Sequence, residues 1–70
     1  MMKIDNKIKM YRALHNMNQT ELANRVKVRR ETIANLEKGR YNPSLALAWA
    51  IAAEFSVKIE DIFTVYLEKD

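Results

Sequence analysis

The side chains best suited to specific hydrogen bonding lie together in the segment RRETIAN, residues 29–35. Arginine, asparagine and glutamate can recognise the major-groove edges of guanine, adenine and cytosine, respectively. Such recognition requires an exposed helix face whose opposite side is apolar and packed. Ile33 and Leu36 provide an apolar side at helical spacing. An isolated charged helix face is usually just solvated and has no binding role. The neighbouring elements therefore decide between simple solvation and base recognition.

Five helices are predicted from the apolar spacing of three and four and from the capping residues. Asn18 is an N-cap candidate with Glu21 three residues later, a variant of the capping box. Asn16 and Gly39 suit the left-handed conformation that ends a helix, and Ser44 is a further N-cap. The predicted helices cover about residues 6–15, 19–26, 29 or 30 to 38, 45–55 and 59–63.

Only Lys27 and Val28 separate the second and third predicted helices. So short a connection, followed by a polar helix with an inward Ile33 and Leu36, is typical of a helix-turn-helix unit. On a helical wheel, these two residues face inward and the polar side chains face outward. In such units the N-terminal residues of the second helix meet base edges. The motif spans residues 19–38 within one predicted domain, residues 1–70.

Glu37 falls on the inner side of the third helix, close to Leu36 and Ile33 on the wheel. A buried carboxylate needs a partner. Arg12 occupies the equivalent inner edge of the first helix, so we predict an ion pair that joins this helix to the end of the third. The alternative is that both side chains reach solvent separately.

Composition narrows the class of protein. Seventy residues allow one domain, and the absence of cysteine excludes disulfides and thiolate metal sites. The net charge of +3 is a mild bias toward polyanions. The N-terminal segment has no apolar region typical of a signal peptide, and the run LALAWAIAA is far shorter than the roughly 20 residues of a membrane span. A cytoplasmic location is therefore the default expectation.

No arrangement of residues suggests catalysis or a cofactor. His15 is the only histidine; it is predicted on the inward face of the first helix as a packed or partly exposed residue, and one histidine does not suffice for a metal site. Ser44 and Thr32 have no histidine base within plausible reach. There is no phosphate-binding glycine loop and no pair of carboxylates placed for acid–base chemistry. We expect neither an enzyme nor a cofactor.

The fourth predicted helix is apolar around its whole circumference. Leu47, Ala48, Ile51, Ala52 and Phe55 suffice for a core face, yet further apolar residues, Trp49 among them, lie outside it. A helix of this kind is buried on more than one side. No other element remains to cover it, so a second copy of the chain is the predicted cover.

The C-terminal segment TVYLE alternates, with Val65 and Leu67 on one side and Thr64 and Tyr66 on the other, which suits a short strand. The N-terminal segment MKID would pair with it and form a small β-sheet beside the last helix. A frayed helix end over TVYLEKD is the alternative.

The chain resembles the xenobiotic-response-element (XRE) family of helix-turn-helix regulators, of the phage repressor and Cro type. The resemblance covers roughly residues 8–63 and rests on NQTELANRV, on V–R–ETI–NLEKGRYNPSL and on A–IA–EFSV–IEDIF. It implies an all-α, compact five-helix, lambda-repressor-like domain, to which terminal strands would be an addition. It also implies sequence-specific binding to double-stranded DNA, usually as a two-fold homodimer on a near-palindromic operator, and most often repression.

The resemblance assigns roles to individual residues. Gln19 matches a glutamine that typically touches a phosphate and a base-reading side chain, and Arg12 with Glu37 matches a common structural ion pair. The residues that match base-reading positions are Arg30, Glu31, Thr32 and Asn35. The candidates for phosphate contacts are Gln19, Lys27, Arg29, Lys38, Arg40, Tyr41 and Asn42.

Two departures from the family pattern bear on the motif. Lys27 stands where the family usually has glycine, which costs on the order of 1 kcal/mol if the residue is left-handed, although its charge suits a phosphate contact. Arg29 stands where serine or threonine usually caps the third helix, and a guanidinium cannot accept the helix N–H bonds. Ser56 and Lys58 replace a frequent glycine and serine, for which the sequence indicates little consequence.

An alternative function comes from a different class: an antitoxin-like or other protein-interaction module with autoregulatory DNA binding. Antitoxins of this family usually bind DNA too, so the two hypotheses overlap. A stoichiometric protein partner, together with only non-specific affinity for DNA, would favour this alternative. The sequence names neither the operator nor a small-molecule effector.

Overall fold

A computed structural model describes residues 1–69 and contains five helices and a two-stranded sheet. The helices are predicted correctly in number and order, and the terminal strands in location. In chain order, the elements are β1 (Met2–Asn6), α1 (Ile8–Leu14), α2 (Gln19–Val26), α3 (Arg30–Glu37), α4 (Leu45–Glu54), α5 (Ile59–Ile62) and β2 (Phe63–Leu67).

Short polar side chains set the starts of α2 and α4. Asn18 Oδ1 accepts the Glu21 N–H at 2.7 Å, and Ser44 Oγ accepts the Leu47 N–H at 3.0 Å. The predicted capping box is only half formed, because the Glu21 carboxylate lies 3.4 Å from Arg25. Arg29 gives α3 no side-chain cap, as predicted.

Left-handed residues end four of the helical segments. Asn16, Lys27 and Ser56 have φ values of 54°, 64° and 56°, and Gly39 has a φ of 71°. Asn16 and Gly39 are the predicted stop residues. Ser56 occupies the family's frequent glycine position, so the replacement does have a consequence: a side chain in a conformation that L-residues disfavour.

We expect Lys27→Gly to stabilise the fold. Removing a side chain from the left-handed conformation should raise the free energy of unfolding by about 1 kcal/mol. The greater freedom of glycine in the unfolded chain offsets part of this gain. The net gain of about 0.5 kcal/mol raises the melting temperature by a few degrees. Lys27→Ala, which loses the same charge but keeps the Cβ, is the matched control. We expect Lys27→Gly to melt above Lys27→Ala; a glycine variant that melts below the alanine variant would show that the strain is smaller than the entropic cost of glycine.

The core is formed by one apolar side chain or more from every helix. Ile8, Leu22, Ile33, Ile51 and Ile62 are each buried almost completely. Met17 and Phe55 complete it at the helix ends. The elements that carry the motif are therefore anchored to all the others through one continuous apolar cluster.

His15 is exposed, yet its ring packs against the core, in line with the prediction of a packed or partly exposed side chain. The ring tilts against that of Phe55, a buried core residue, with 5.0 Å between ring centroids. Tyr11 stacks on the same Phe55 ring at 5.7 Å and is half-buried. The helix α1 ends at Leu14, one residue before the predicted end, and His15 is its C-cap.

The strands pair antiparallel, with Met2 opposite Leu67 and Ile4 opposite Val65. This pairing replaces the alternative of a frayed helix end. Ile4 packs against the core, whereas Val65 and Leu67 remain more than half exposed. The sheet thus closes the N- and C-terminal segments onto the last helix, where the Lys7 N–H donates to the Ile62 carbonyl at 2.9 Å. Within residues 1–69, no helix has the length and apolar character needed to cross a membrane.

Candidate nucleic-acid interface

Helices α2 and α3 form a compact pair joined by the turn at Lys27. Leu22 and Ala23 of α2 are buried, as are Ile33 and Leu36 of α3. The Val28 N–H closes the turn by donating to the Ala23 carbonyl at 3.0 Å. The opposite side of α3 consists of exposed and half-buried residues.

The exposed side of α3 carries the four base-reading candidates. Arg30 and Glu31 are exposed, and Thr32 and Asn35 are half-buried. All four lie in the first two turns of α3, the part that enters the major groove in helix-turn-helix proteins. Arg30 only donates hydrogen bonds, an ionised Glu31 only accepts them, and Thr32 and Asn35 can do both.

The phosphate candidates flank α3 at both ends. Lys27 and Arg29 precede it, and Lys38, Arg40 and Asn42 follow it; all five are exposed. Five cations and two carboxylates occur in residues 27–40. Because Glu37 is paired with Arg12, Glu31 is the one acidic side chain of residues 27–40 that reduces the positive charge around α3.

The loop after α3 is hydrogen-bonded to that helix at Tyr41 and Arg40. The Tyr41 hydroxyl donates to the Thr32 carbonyl at 3.4 Å, a long bond, and its side chain is partly exposed. The Arg40 N–H donates to the Asn35 carbonyl at 3.0 Å. These bonds fold the loop after α3 back along the same helix, which brings its polar groups beside the base-reading candidates.

Arg12 and Glu37 form a bidentate pair. Arg12 Nε donates to Glu37 Oε2 at 2.6 Å and Nη2 donates to Oε1 at 3.0 Å. The two side chains are 13% and 9% exposed. Arg12 Nη1 also donates to the Met17 carbonyl at 3.1 Å, so the same guanidinium holds the loop that leads into α2.

The environment of Glu37 holds its carboxyl group in the ionised form. Burial by itself raises the pKa of Glu37, but hydrogen bonds from Arg12 and Gln19 and the positive charges of Arg12 and Lys9 outweigh it. The pKa of Glu37 therefore lies below its ordinary value.

Gln19 connects this pair to the exposed end of α3. Its Nε2 donates to Glu37 Oε1 at 3.1 Å, and its Oε1 accepts from Arg30 Nη1 at 3.2 Å. Hydrogen bonds therefore link four residues in series: Arg12, Glu37, Gln19 and Arg30. The contact between Gln19 and a base-reading candidate is the kind that the family resemblance implies.

Asn6 is a supporting residue that the sequence analysis missed. Its Nδ2 donates to the Leu36 carbonyl at 2.8 Å, and its Oδ1 accepts the Ile8 N–H at 3.2 Å. From the position before Lys7, the N-cap of α1, it thus satisfies the first N–H of α1 and holds the C-terminal end of α3. Its bond to α3 has no signature in the sequence.

A helix-turn-helix family model matches residues 8–62, which include every helix of the fold. The chain belongs to the XRE family of helix-turn-helix regulators. The function of this XRE-family protein is DNA-binding transcription regulation, and its family is one of regulators and not of enzymes.

Individual relatives agree with the family. An uncharacterized HTH-type transcriptional regulator of Archaeoglobus fulgidus is 67% identical over 57 residues, which are 81% of this chain and 80% of that protein. The immunity repressor protein of Bacillus phage phi105 is 31% identical over 87% of this chain, which spans only 42% of the repressor. The solved transcriptional regulator VanUg superposes with a TM-score of 0.77 at 26% identity, covering 96% of this chain and 89% of VanUg.

Proposed function

We propose that this XRE-family regulator is a repressor that binds a near-palindromic operator as a homodimer, with the exposed side of α3 in the major groove. The observation that carries the proposal is that α3, with its polar base-reading candidates, is preceded and followed by exposed cations. Repression is supported by the similarity to a phage immunity repressor. The proposal treats residues 1–70 as one domain that acts on DNA in the cytoplasm.

In this proposal Arg30, Glu31, Thr32 and Asn35 read base edges. Lys27, Arg29, Lys38 and Arg40 supply charge to the phosphates, and Gln19, Tyr41 and Asn42 add neutral hydrogen bonds. Phosphate contacts set the position on the duplex, whereas base contacts give the sequence preference. The cationic groups stand on both sides of the reading residues, as expected for a helix held between two backbone strands.

Selection of binding sites from random duplexes tests this function directly. We expect an enriched half-site motif with at least about 10³-fold preference over random DNA. Asn35→Ala should relax the preference at one base pair by roughly 1–3 kcal/mol without lowering the melting temperature appreciably, because the Asn35 side chain makes no hydrogen bond within residues 1–69. Failure of the wild type to enrich any motif would contradict specific recognition.

The homodimer is supported by the outer side of α4. Leu45 and Trp49 are 76% and 68% exposed. A pocket of about 350 Å³ lies beside Trp49 and is lined by Ala53, Val57 and Ile59, with Lys58 and Glu60 also in its wall. Tryptophan is enriched where interfaces are fully buried. A two-fold axis beside this pocket would place Trp49 against the partner's pocket and Lys58 near the opposite charge of the partner's Glu60.

We expect Trp49→Glu to produce a monomer in sedimentation at micromolar concentration, because the new carboxylate would be buried at the interface. Leu14→Glu is the matched control, since Leu14 of α1 is also 68% exposed; it should remain dimeric. Two bound subunits would set their α3 helices about 34 Å apart, one turn of DNA. A wild type that sediments as a monomer, even on DNA carrying the selected site, would remove both the interface and the palindrome.

A further inference from the structure

Glu37 does more than neutralise Arg12: we propose that it positions Arg30 for base recognition by fixing the orientation of the Gln19 side-chain amide. The inference rests on the proposed function, because it assigns Arg30 to the reading of a base. Glu37 lies at the end of α3 and Arg30 at its start, and Gln19 of α2 bridges them with bonds of 3.1 Å and 3.2 Å.

The amide of Gln19 has one orientation that satisfies both neighbours. An ionised carboxylate only accepts hydrogen bonds, and a guanidinium only donates them. Gln19 must therefore turn its NH₂ group toward Glu37 and its oxygen toward Arg30. The reversed amide would place an oxygen against the carboxylate and two donors against the guanidinium, losing both bonds.

Because the Glu37 carboxylate is charged and only accepts hydrogen bonds, it allows only one orientation of the Gln19 amide. Arg12 binds both carboxylate oxygens, and its own hydrogen bond to the Met17 carbonyl holds the guanidinium in place. Glu37 Oε1 thus sits on a rigid base and accepts from Arg12 and Gln19 together. A neutral glutamine at position 37 could present either an oxygen or an NH₂ group to Gln19, so the direction would no longer be imposed.

The Arg30 side chain is therefore already partly ordered in the free protein, before DNA binds. One of its Nη groups is held by Gln19, while its other donors make no hydrogen bond within residues 1–69. Two remaining N–H groups suffice for a bidentate contact with the O6 and N7 atoms of guanine. Ordering a long side chain in advance lowers the cost of immobilising it in the complex.

The experiment measures base discrimination in the selected operator. Each base pair of the half-site is changed in turn, and dissociation constants are measured for wild type, Arg30→Ala, Glu37→Gln and Gln19→Met. We expect Arg30→Ala to identify the base pair that Arg30 reads. At that base pair, Glu37→Gln should lower discrimination about 2- to 12-fold, the equivalent of one side chain left unordered, with smaller changes elsewhere.

Epistasis separates positioning from a loss of folding. Glu37 and Gln19 act through the same amide, so Glu37→Gln/Gln19→Met should discriminate no worse than Gln19→Met alone. Ile51→Val, a mild destabilisation in the buried part of α4, is the control and should leave discrimination unchanged. Should Glu37→Gln prove poorly folded, Gln19→Met still tests the link from Gln19 to Arg30, because it leaves the Arg12–Glu37 pair in place, and Glu37→Asp, which keeps the charge but withdraws the carboxylate from Gln19, should lower discrimination at the same base pair.

Three results would overturn the inference. Glu37→Gln and Gln19→Met could weaken binding equally at all operators, the two changes could add in the double variant, or Arg30→Ala could leave every base preference intact. A wild type that selects no motif at all is a different result, since it refutes the proposed function itself.

Discussion

Arg12→Ala is expected to lower the free energy of unfolding by about 3 kcal/mol, at the lower end of the 3–5 kcal/mol typical for breaking a buried ion pair, because both side chains keep slight exposure. The loss removes both Glu37 bonds and the bond to the Met17 carbonyl. For a domain of this size, it corresponds to about 12–24 °C in melting temperature. Thermal and urea unfolding measure the effect.

Arg25→Ala is the matched control. Arg25 also pairs with two carboxylates, Glu21 and Glu54, but it is 52% exposed. Exposed pairs contribute about 0–1 kcal/mol, so this variant should melt close to wild type. Equal losses for the two arginines would show that burial does not strengthen the Arg12–Glu37 pair. A double-mutant cycle with Glu37→Ala gives the coupling free energy directly.

The difference between wild type and Arg12→Ala should depend on pH. In wild type the pKa of Glu37 is lowered, so the ionised group stabilises the fold above the ordinary carboxyl pKa of about 4.3, and this contribution is lost as the pH falls through the lower native pKa. Without Arg12, burial favours the protonated acid. The stability difference is therefore largest near pH 7 and narrows on acidification.

The affinity for the operator is expected to fall by roughly 10⁴-fold between 50 and 200 mM salt. Lys27, Arg29, Lys38 and Arg40 provide four phosphate-binding cations per subunit in the proposed complex, and a dimer doubles that number. Release of condensed counterions then gives a slope of about −7 in a plot of log affinity against log salt. Titration of labelled operator at several salt concentrations measures it.

Arg40→Gln should make this slope shallower by about 2 for the dimer, one for each subunit, while the base preferences remain as in wild type. Arg25→Gln is the control cation, because its charge is compensated by Glu21 and Glu54. A slope of about −3.5 for wild type, half of the dimer value, would be inconsistent with a dimer that uses all four cations, and it would point to a single subunit on the DNA.

The sequence by itself determined the local elements and the family. Asn18, Ser44 and Gly39 mark helix boundaries through hydrogen bonds and backbone conformations that depend on only a few neighbouring residues. The apolar spacing in α2 and α3 identifies the buried sides, since it repeats within each helix. These are local effects, and they suffice to recognise a helix-turn-helix unit and hence its place among DNA-binding regulators.

Only the tertiary structure decided which distant side chains meet. His15, the C-cap of α1, rests its exposed ring on Phe55 at the end of α4. The strands pair because Asn6 and Phe63 are brought together beside α5. The bonds of Asn6 to Leu36 and of Gln19 to Glu37 join residues 30 and 18 positions apart. Such bonds depend on packing of the whole chain, since hydrogen-bond partners must approach within about 3 Å, and no local pattern in the sequence encodes that distance.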